Sequence, residues 1–100
     1  MGMDLVPQNP SDDAPTDQWG VTPGRYNWAG WRYITTKLKE WGVPLDEFAG
    51  SNDGDIISDA TCKLVADAIE QHLHELDEEH RAWLAPHVAR WRTCGGYAQF

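Results

Sequence analysis

The sequence has no long apolar run and few cysteines. Because a transmembrane helix needs about 20 consecutive apolar residues, no membrane-spanning segment and no membrane partner are expected. The N-terminus also lacks a basic region followed by an apolar run, which is the pattern of a secretory signal peptide. The two cysteines, Cys62 and Cys94, are far apart in the chain and form no C-x-x-C motif. Free thiols are therefore expected rather than a disulfide, and the predicted location is the cytoplasm.

Basic residues are scarce, and the charges are unevenly distributed. The net charge is −8. Residues 1–23 hold no Lys or Arg and residues 24–39 hold no acid, whereas residues 40–79 hold twelve acids against Lys63 alone. Proteins that bind duplex nucleic acid usually carry a basic excess, so no duplex partner is expected. Either the segments neutralise one another within the fold, or an acidic surface faces a basic partner and a basic pocket takes an anion.

Motifs of catalysis and of metal binding are missing. Ser, His and Asp are present but lie in no nucleophile-elbow, phosphate-loop or metal-protease motif, so no catalytic residue is assigned. No C-x-x-C or H-x-x-x-H spacing indicates a metal site, and no cofactor is expected. His72 lies near the centre of an apolar helical stripe. It is interpreted either as an acid–base group or metal ligand, or as a buried imidazole bonded to a backbone group or a Trp N–H.

The clearest positive signal is a helix predicted from Ser58 to about Glu78. Ser58 is a suitable N-cap, and Asp59 places negative charge at the positive end of the helix dipole. A helix of about 20 residues is roughly 30 Å long, so the rest of a small domain is expected to pack around it. Residues at helical spacing form one broad apolar face: Thr61, Leu64, Val65, Ala68, Ile69, Leu73 and Leu76.

Two further helical regions flank this central helix. The first is predicted from Asn27, as N-cap, to Trp41, with Gly42 ending it. The second covers 79–94. Because proline lacks an N–H, Pro86 is expected to kink this region or to start a new helix, and a division into two helices is favoured. Residues 97–100 alternate apolar and polar and are predicted to form a short strand. The predicted fold is therefore mostly α: a small bundle of three to four helices around the central helix 58–78, with at most one short C-terminal strand.

Composition divides the chain into two parts. Residues 1–18 are rich in Pro, Asp, Asn and Gln and have few large apolar groups. Such a segment cannot bury enough apolar surface to offset the entropy of ordering, so a flexible tail is predicted. Residues 19–100 are predicted to form a single helical domain.

Planar and cationic residues outside the central helix form the first candidate site. Trp rings and Arg guanidinium groups can stack on bases or on other flat ligands. The predicted helix N-terminus near residues 52–58 adds backbone donors for an anion. The opposing interpretation is an aromatic core with Arg stacked over it. The candidate ligand-binding residues are Trp28, Trp31, Arg32, Asn52, Asp53, Trp91, Arg92 and Tyr97.

Acidic residues form the second candidate site, a surface for a basic protein: Asp46, Glu47, Asp55, Asp67 and Glu70. The leading functional hypothesis is a non-catalytic acidic binding protein that acts by occupying a protein partner, as an inhibitor or regulator. The alternative is a small-ligand or nucleotide-binding protein that uses the Trp and Arg residues, and the third hypothesis is a small enzyme. Exposed Trp side chains would also favour a homodimer.

Three short motifs together carry a resemblance. They are the run 26–32 at the first helix (YNWAGWR), the S-N-D-G turn of residues 51–54 that leads to Ile57 and Ser58, and the closing Gly95-Gly96-Tyr97. In order and spacing, residues 24–100 resemble a group of small uncharacterised bacterial and phage proteins. The resemblance implies no chemistry. It implies that the three motifs converge in space, and it favours a bacterial or phage–host setting for the proposed binding.

Overall fold

The computed structural model describes residues 2–48 and 54–100. In these ranges the chain forms a four-stranded antiparallel sheet, a separate two-stranded hairpin and three α-helices, with a 3₁₀ turn at Leu73–Glu75. The elements in chain order are β1 Gly2–Pro7, β2 Thr16–Asp17, β3 Gly20–Val21, β4 Gly24–Asn27, α1 Trp28–Glu40, β5 Ile56–Ile57, α2 Asp59–His72, α3 Glu78–Thr93 and β6 Tyr97–Gln99.

The prediction of a mostly-α helical bundle is wrong, because a sheet of order β4-β1-β6-β5 forms one layer of the protein. Its inner strand β1 comes from the segment that was predicted to be a flexible tail. Met3 and Leu5 are buried while Asp4 and Val6 are exposed, which is the alternation of a half-buried strand. Two large apolar residues are too weak a pattern to predict this strand. Residues 2–7 nevertheless contribute to the core.

Helix starts and stops follow the local sequence signals. The Asn27 side chain accepts from the Gly30 N–H at 2.6 Å, and the Ser58 side chain accepts from the Thr61 N–H at 3.3 Å. Gly42, with φ of +83°, follows α1 in the left-handed conformation that glycine adopts without a steric penalty. Both predicted N-caps are confirmed. They could be predicted from the sequence because capping depends on neighbours within one helical turn.

The central helix is shorter than predicted. α2 ends at His72, and the chain turns so that Asp77 becomes the N-cap of α3, accepting from the His80 N–H. Ala68 and Leu76 are buried, but Leu64 is 48% exposed and does not belong to the core. The single rod of residues 58–78 is therefore replaced by an α2–α3 helical hairpin.

The third helical region is one continuous helix, so the predicted division at Pro86 is wrong. Pro86 lies inside α3, one helical turn after Ala82, and both residues are exposed. The proline therefore lies on the solvent-facing side of the helix, where water can hydrogen bond to the Ala82 carbonyl that loses its helical donor.

The predicted C-terminal strand is confirmed as β6, although it is an inner strand of the sheet, between β1 and β5. Side chains from the inner face of the sheet meet the helices in one apolar core. That core includes Leu5, Ile34, Val65 and Trp91. None of the helices in the described ranges combines the length and the hydropathy that crossing a membrane requires.

Candidate functional site

Three of the predicted ligand-binding residues belong to the core. Trp31, Trp91 and Tyr97 are 5%, 1% and 0% exposed. Tyr97 lies edge-on to Trp91, with ring centroids 4.9 Å apart. These aromatic faces are covered by protein, so the aromatic-core interpretation is correct for them and they cannot stack on a ligand from solution.

Arg92, also predicted to bind a ligand, is engaged by two residues of the predicted acidic site. Its guanidinium lies 2.8 Å from Asp67 and 3.3 Å from Glu70, both on α2. These contacts raise the pKa of Arg92 above its ordinary value. The charges of α2 and α3 thus neutralise one another at this seam, as one of the two interpretations of the charge pattern predicts.

The remaining predicted site residues are dispersed. Arg32, Asp46 and Asp55 are exposed, and Trp28 is half-buried. Asn52 and Asp53, with most of the S-N-D-G turn, lie outside the described residues.

The carboxylate of Glu47 makes hydrogen bonds to the start of α2 and does not form part of an open acidic surface. Its carboxylate accepts from the Ser58 hydroxyl at 2.9 Å, from the Ser58 N–H at 3.3 Å and from the Thr61 hydroxyl. The hydroxyl bonds of Thr61 and Ser58 hold the pKa of Glu47 below its ordinary value. The carboxylate therefore complements the positive N-terminal end of α2.

His72 is only partly buried, and it stacks on Trp41 with ring centroids 4.8 Å apart and an interplanar angle of 5°. Its Nδ1 lies 2.5 Å from a Glu75 carboxylate oxygen. The partner is therefore a carboxylate, not the backbone group or Trp N–H considered from the sequence.

An open groove of about 510 Å³ lies beside the start of α1 and the start of α3. We call it the aromatic groove. On one side it is lined by β4 and the first turns of α1, and on the other side by the first turns of α3. Its lining residues are Arg25, Tyr26, Asn27, Ala29, Gly30, Tyr33, Glu79, His80 and Trp83.

The rings of the aromatic groove form a corner. Tyr33 and His80 are stacked, with centroids 4.3 Å apart and an interplanar angle of 13°. The plane of the Trp83 ring is inclined by 61° to that of Tyr33 and by 74° to that of His80. It is nearly perpendicular to the Tyr26 ring, at 86°. A Cβ atom on Gly30 would lie 3.2 Å from the Trp83 ring, so the glycine lets the indole approach α1 closely. Two ring planes are thereby presented to the groove at different orientations.

The two ends of the groove differ in charge. At the α3 end, the His80 Nδ1 lies 2.5 Å from the Asp77 carboxylate, so Nε2 is the ring nitrogen available to a bound group. Glu79 adds a second carboxylate there. Burial, together with the Asp77 and Glu40 carboxylates, raises the pKa of Tyr33, so its hydroxyl stays neutral at physiological pH. At the β4 end, the Arg25 guanidinium lies 3.7 Å from Asp4.

A buried polar network forms the back of the groove. The Tyr26 hydroxyl accepts from the Trp91 indole N–H at 2.9 Å and lies 2.7 Å from the His87 Nδ1. Burial lowers the pKa of His87 to about 4, so the imidazole is neutral at pH 7. Burial also raises the pKa of Tyr26. The Tyr26 hydroxyl and the His87 Nδ1 share a hydrogen bond, and the network fixes the position of the Tyr26 ring.

Sequence reasoning did not assign Tyr33, Glu79, His80 or Trp83 to a site. A signal for these residues was present on α3, where His80, Trp83 and His87 recur at helical spacing beside the main apolar stripe. That second stripe indicates a second neighbour for the helix. The sequence could not identify this neighbour as β4 and α1, because β4 was not predicted.

The arrangement is suited to binding. Aromatic faces, two carboxylates and an oriented imidazole can hold a cationic or planar group. Within residues 2–48 and 54–100, no three His, Cys, Asp or Glu side chains converge in a way that could hold a metal ion. No protein-family model, curated protein or solved structure matches the chain.

Proposed function

We propose that the protein is a non-catalytic binding module whose aromatic groove takes a basic side chain of a protein partner. The observation that supports this most directly is the corner formed by Tyr33, His80 and Trp83 next to the carboxylates of Asp77 and Glu79. A Lys or Arg group gains from contact with the face of an aromatic ring and from a nearby carboxylate.

An intramolecular contact supports this proposal. The Lys37 ammonium lies 5.8 Å from the centroid of the Tyr33 ring. Tyr33 thus already has a cation beside its ring. The net charge of −8 would also speed the encounter with a basic partner at low ionic strength.

Peptide selection tests this function. Purified protein is used to select from a library of random seven-residue peptides, and the binders are sequenced. We expect enrichment of Lys and Arg, weaker binding at high salt, and at least a tenfold loss of affinity in Trp83→Ala, because the cation loses its aromatic face.

Trp19→Ala is the matched control. Trp19 lies between β2 and β3 and is 86% exposed, so its loss removes an indole outside the groove and should leave the selected peptides bound. Recovery of no peptide, or equal binding by Trp83→Ala and wild type, would contradict the proposal. Thermal unfolding of each variant shows that it is folded.

A planar anionic ligand, such as a nucleotide, is the second candidate. Arg25 lies at the β4 end of the same groove and the Trp83 indole lines it from α3, which together suit a phosphate and a base. A ligand that binds only the folded protein raises the unfolding midpoint. A nucleotide panel that raises the midpoint of the wild type but not of Trp83→Ala would favour this candidate over the peptide.

A further inference from the structure

The direction of the backbone groups in β4 follows from the hydrogen bonds of β1. The Asp4 N–H donates to the Phe100 carbonyl at 3.0 Å, and the Phe100 N–H donates to the Asp4 carbonyl at 2.7 Å. Both polar groups of Asp4 therefore face β6. Asp4 is opposite Arg25 in the β1–β4 pairing. In an antiparallel pair, a residue opposite such a position also directs its N–H and C=O outward, so those of Arg25 face away from β1.

The outer side of β4 is an open edge of the sheet. β4 is the first strand in the order β4-β1-β6-β5 and has β1 as its strand neighbour. In the described part of the chain, no protein group hydrogen bonds to the Arg25 N–H or to the Arg25 carbonyl. Such an edge is a template for another strand.

This open edge borders the aromatic groove. Arg25, Tyr26 and Asn27 line the groove from the β4 side, and Glu79, His80 and Trp83 line it from α3. A chain lying in the groove therefore has unpaired backbone groups along one side and aromatic and acidic side chains along the other.

We propose that a partner binds as an extended basic peptide that adds to the edge of β4 as a fifth strand of the sheet. This inference rests on the proposed function and specifies its mode of binding. The peptide residue opposite Arg25 exchanges two backbone hydrogen bonds with it. Main-chain bonds of this kind supply affinity, and alternate side chains supply specificity.

Strand geometry then determines which peptide side chains enter the groove. Successive side chains of a strand point to opposite faces, so the two residues that flank the one paired with Arg25 point to the same face as Tyr26. They are about 7 Å apart, and one of them can reach Trp83 and the Glu79 carboxylate. The proposal therefore predicts selected peptides with a basic residue at one of two positions separated by a single residue.

Two substitutions at Arg25 separate backbone pairing from side-chain contacts. Arg25→Pro removes the outward N–H, and proline is tolerated on an edge strand. Arg25→Ala keeps the N–H and removes the guanidinium. The probe is the tightest-binding peptide from the seven-residue library. We expect at least a tenfold weaker affinity for Arg25→Pro than for Arg25→Ala. Equal affinities in two folded variants would overturn strand addition.

Measurements on the wild-type protein keep the test valid if Arg25→Pro does not fold. The probe peptide should protect the Arg25 amide from hydrogen exchange, and N-methylation of one central peptide amide should weaken binding at least tenfold. Peptide binding without protection of that amide contradicts strand addition while leaving the proposed function intact. Protection that rises with protein concentration in the absence of peptide indicates pairing with a second copy and also contradicts it. Failure to recover any peptide contradicts the proposed function itself.

Discussion

The two halves of α3 place the same residue type in opposite environments. Trp91, in the C-terminal half, is 1% exposed and donates its indole N–H to Tyr26. Trp83, two helical turns earlier, is half-buried and lines the aromatic groove. The C-terminal half lies against the core, whereas the N-terminal half borders the edge strand β4. Position relative to the sheet edge, and not hydrophobicity, therefore separates a core tryptophan from one that lines an open groove.

The two halves of α3 also differ in charge. α3 begins with Asp77 as its N-cap, followed by Glu78 and Glu79, and it has Arg90 and Arg92 in its last turn. Acids at the start and bases at the end both stabilise the helix dipole. The same arrangement places the carboxylates at the groove and Arg92 at the ion pairs with α2. The acidic residues that stabilise the start of α3 therefore also give this end of the groove its negative charge.

The largest expected difference between the halves is in stability. Trp91→Ala should lower the free energy of unfolding by about 3–5 kcal/mol, because it leaves a core cavity and removes the hydrogen bond to Tyr26. Trp83→Ala should lower it less, by about 1–2 kcal/mol, because the indole is only partly buried. Urea unfolding followed by circular dichroism measures both values. Equal losses would show that Trp83 is as much a part of the core as Trp91.

The second expected effect is acid sensitivity caused by His87, which lies between the two tryptophans. Its pKa is about 4 in the folded protein, against 6.5 for an ordinary histidine. The neutral form is therefore favoured by folding, so its stabilising effect is fully present above pH 6.5 and is lost as the pH falls to about 4. The total loss should approach roughly 3 kcal/mol. Urea unfolding at several pH values between 7 and 4 measures it.

His87→Gln is the matched control for this titration. The glutamine amide can still hydrogen bond to the Tyr26 hydroxyl, but the side chain does not titrate. The variant should be less stable than the wild type at pH 7 and should lose less stability between pH 6.5 and pH 4. Parallel pH profiles for the two proteins would contradict the assignment of this loss to His87.

The smallest expected effect is at the groove end of α3. Asp77→Ala removes the N-cap and should lower the unfolding midpoint by about 4–8 °C. Asp77→Asn keeps a capping oxygen and should lower the midpoint much less. The hydrogen bond with His80 lowers the pKa of Asp77, so its contribution is present above the ordinary aspartate pKa and is lost as the pH falls below it. Thermal unfolding at pH 7 and pH 3 measures both effects. Equal midpoints for wild type and Asp77→Ala would exclude a capping role.

Elements that depend on residues close in the sequence were predictable, whereas elements that depend on distant residues were not. Asn27 and Ser58 cap helices through bonds to residues three positions later, so both helix starts were predictable. Pro86 was misinterpreted because its cost depends on whether the carbonyl one turn earlier meets solvent, which the sequence does not state. β5 has only two residues, Ile56 and Ile57, and so carries no readable alternation. Its pairing with Tyr97 joins positions far apart in the chain.

The candidate site shows the same limit. Aromatic and acidic residues were identified as the chemistry of binding, but the predicted members fell mostly into the core or into ion pairs between helices. Tyr33 and Trp83 come from two helices and meet only because both helices lie beside β4. The sequence spacing between Tyr33 and Trp83 does not predict this contact.

The sequence by itself determined the helix caps, the amphipathic faces, the acidic balance and the residue types suited to binding. Each of these depends on interactions within a helical turn or on composition. The tertiary structure alone decided that residues 2–7 form an inner strand, that Trp91 is core while Trp83 lines a groove, and that the backbone of Arg25 faces an open edge. These outcomes depend on strand pairing between residues distant in the chain, and such pairing is settled only when all the strands and helices pack together.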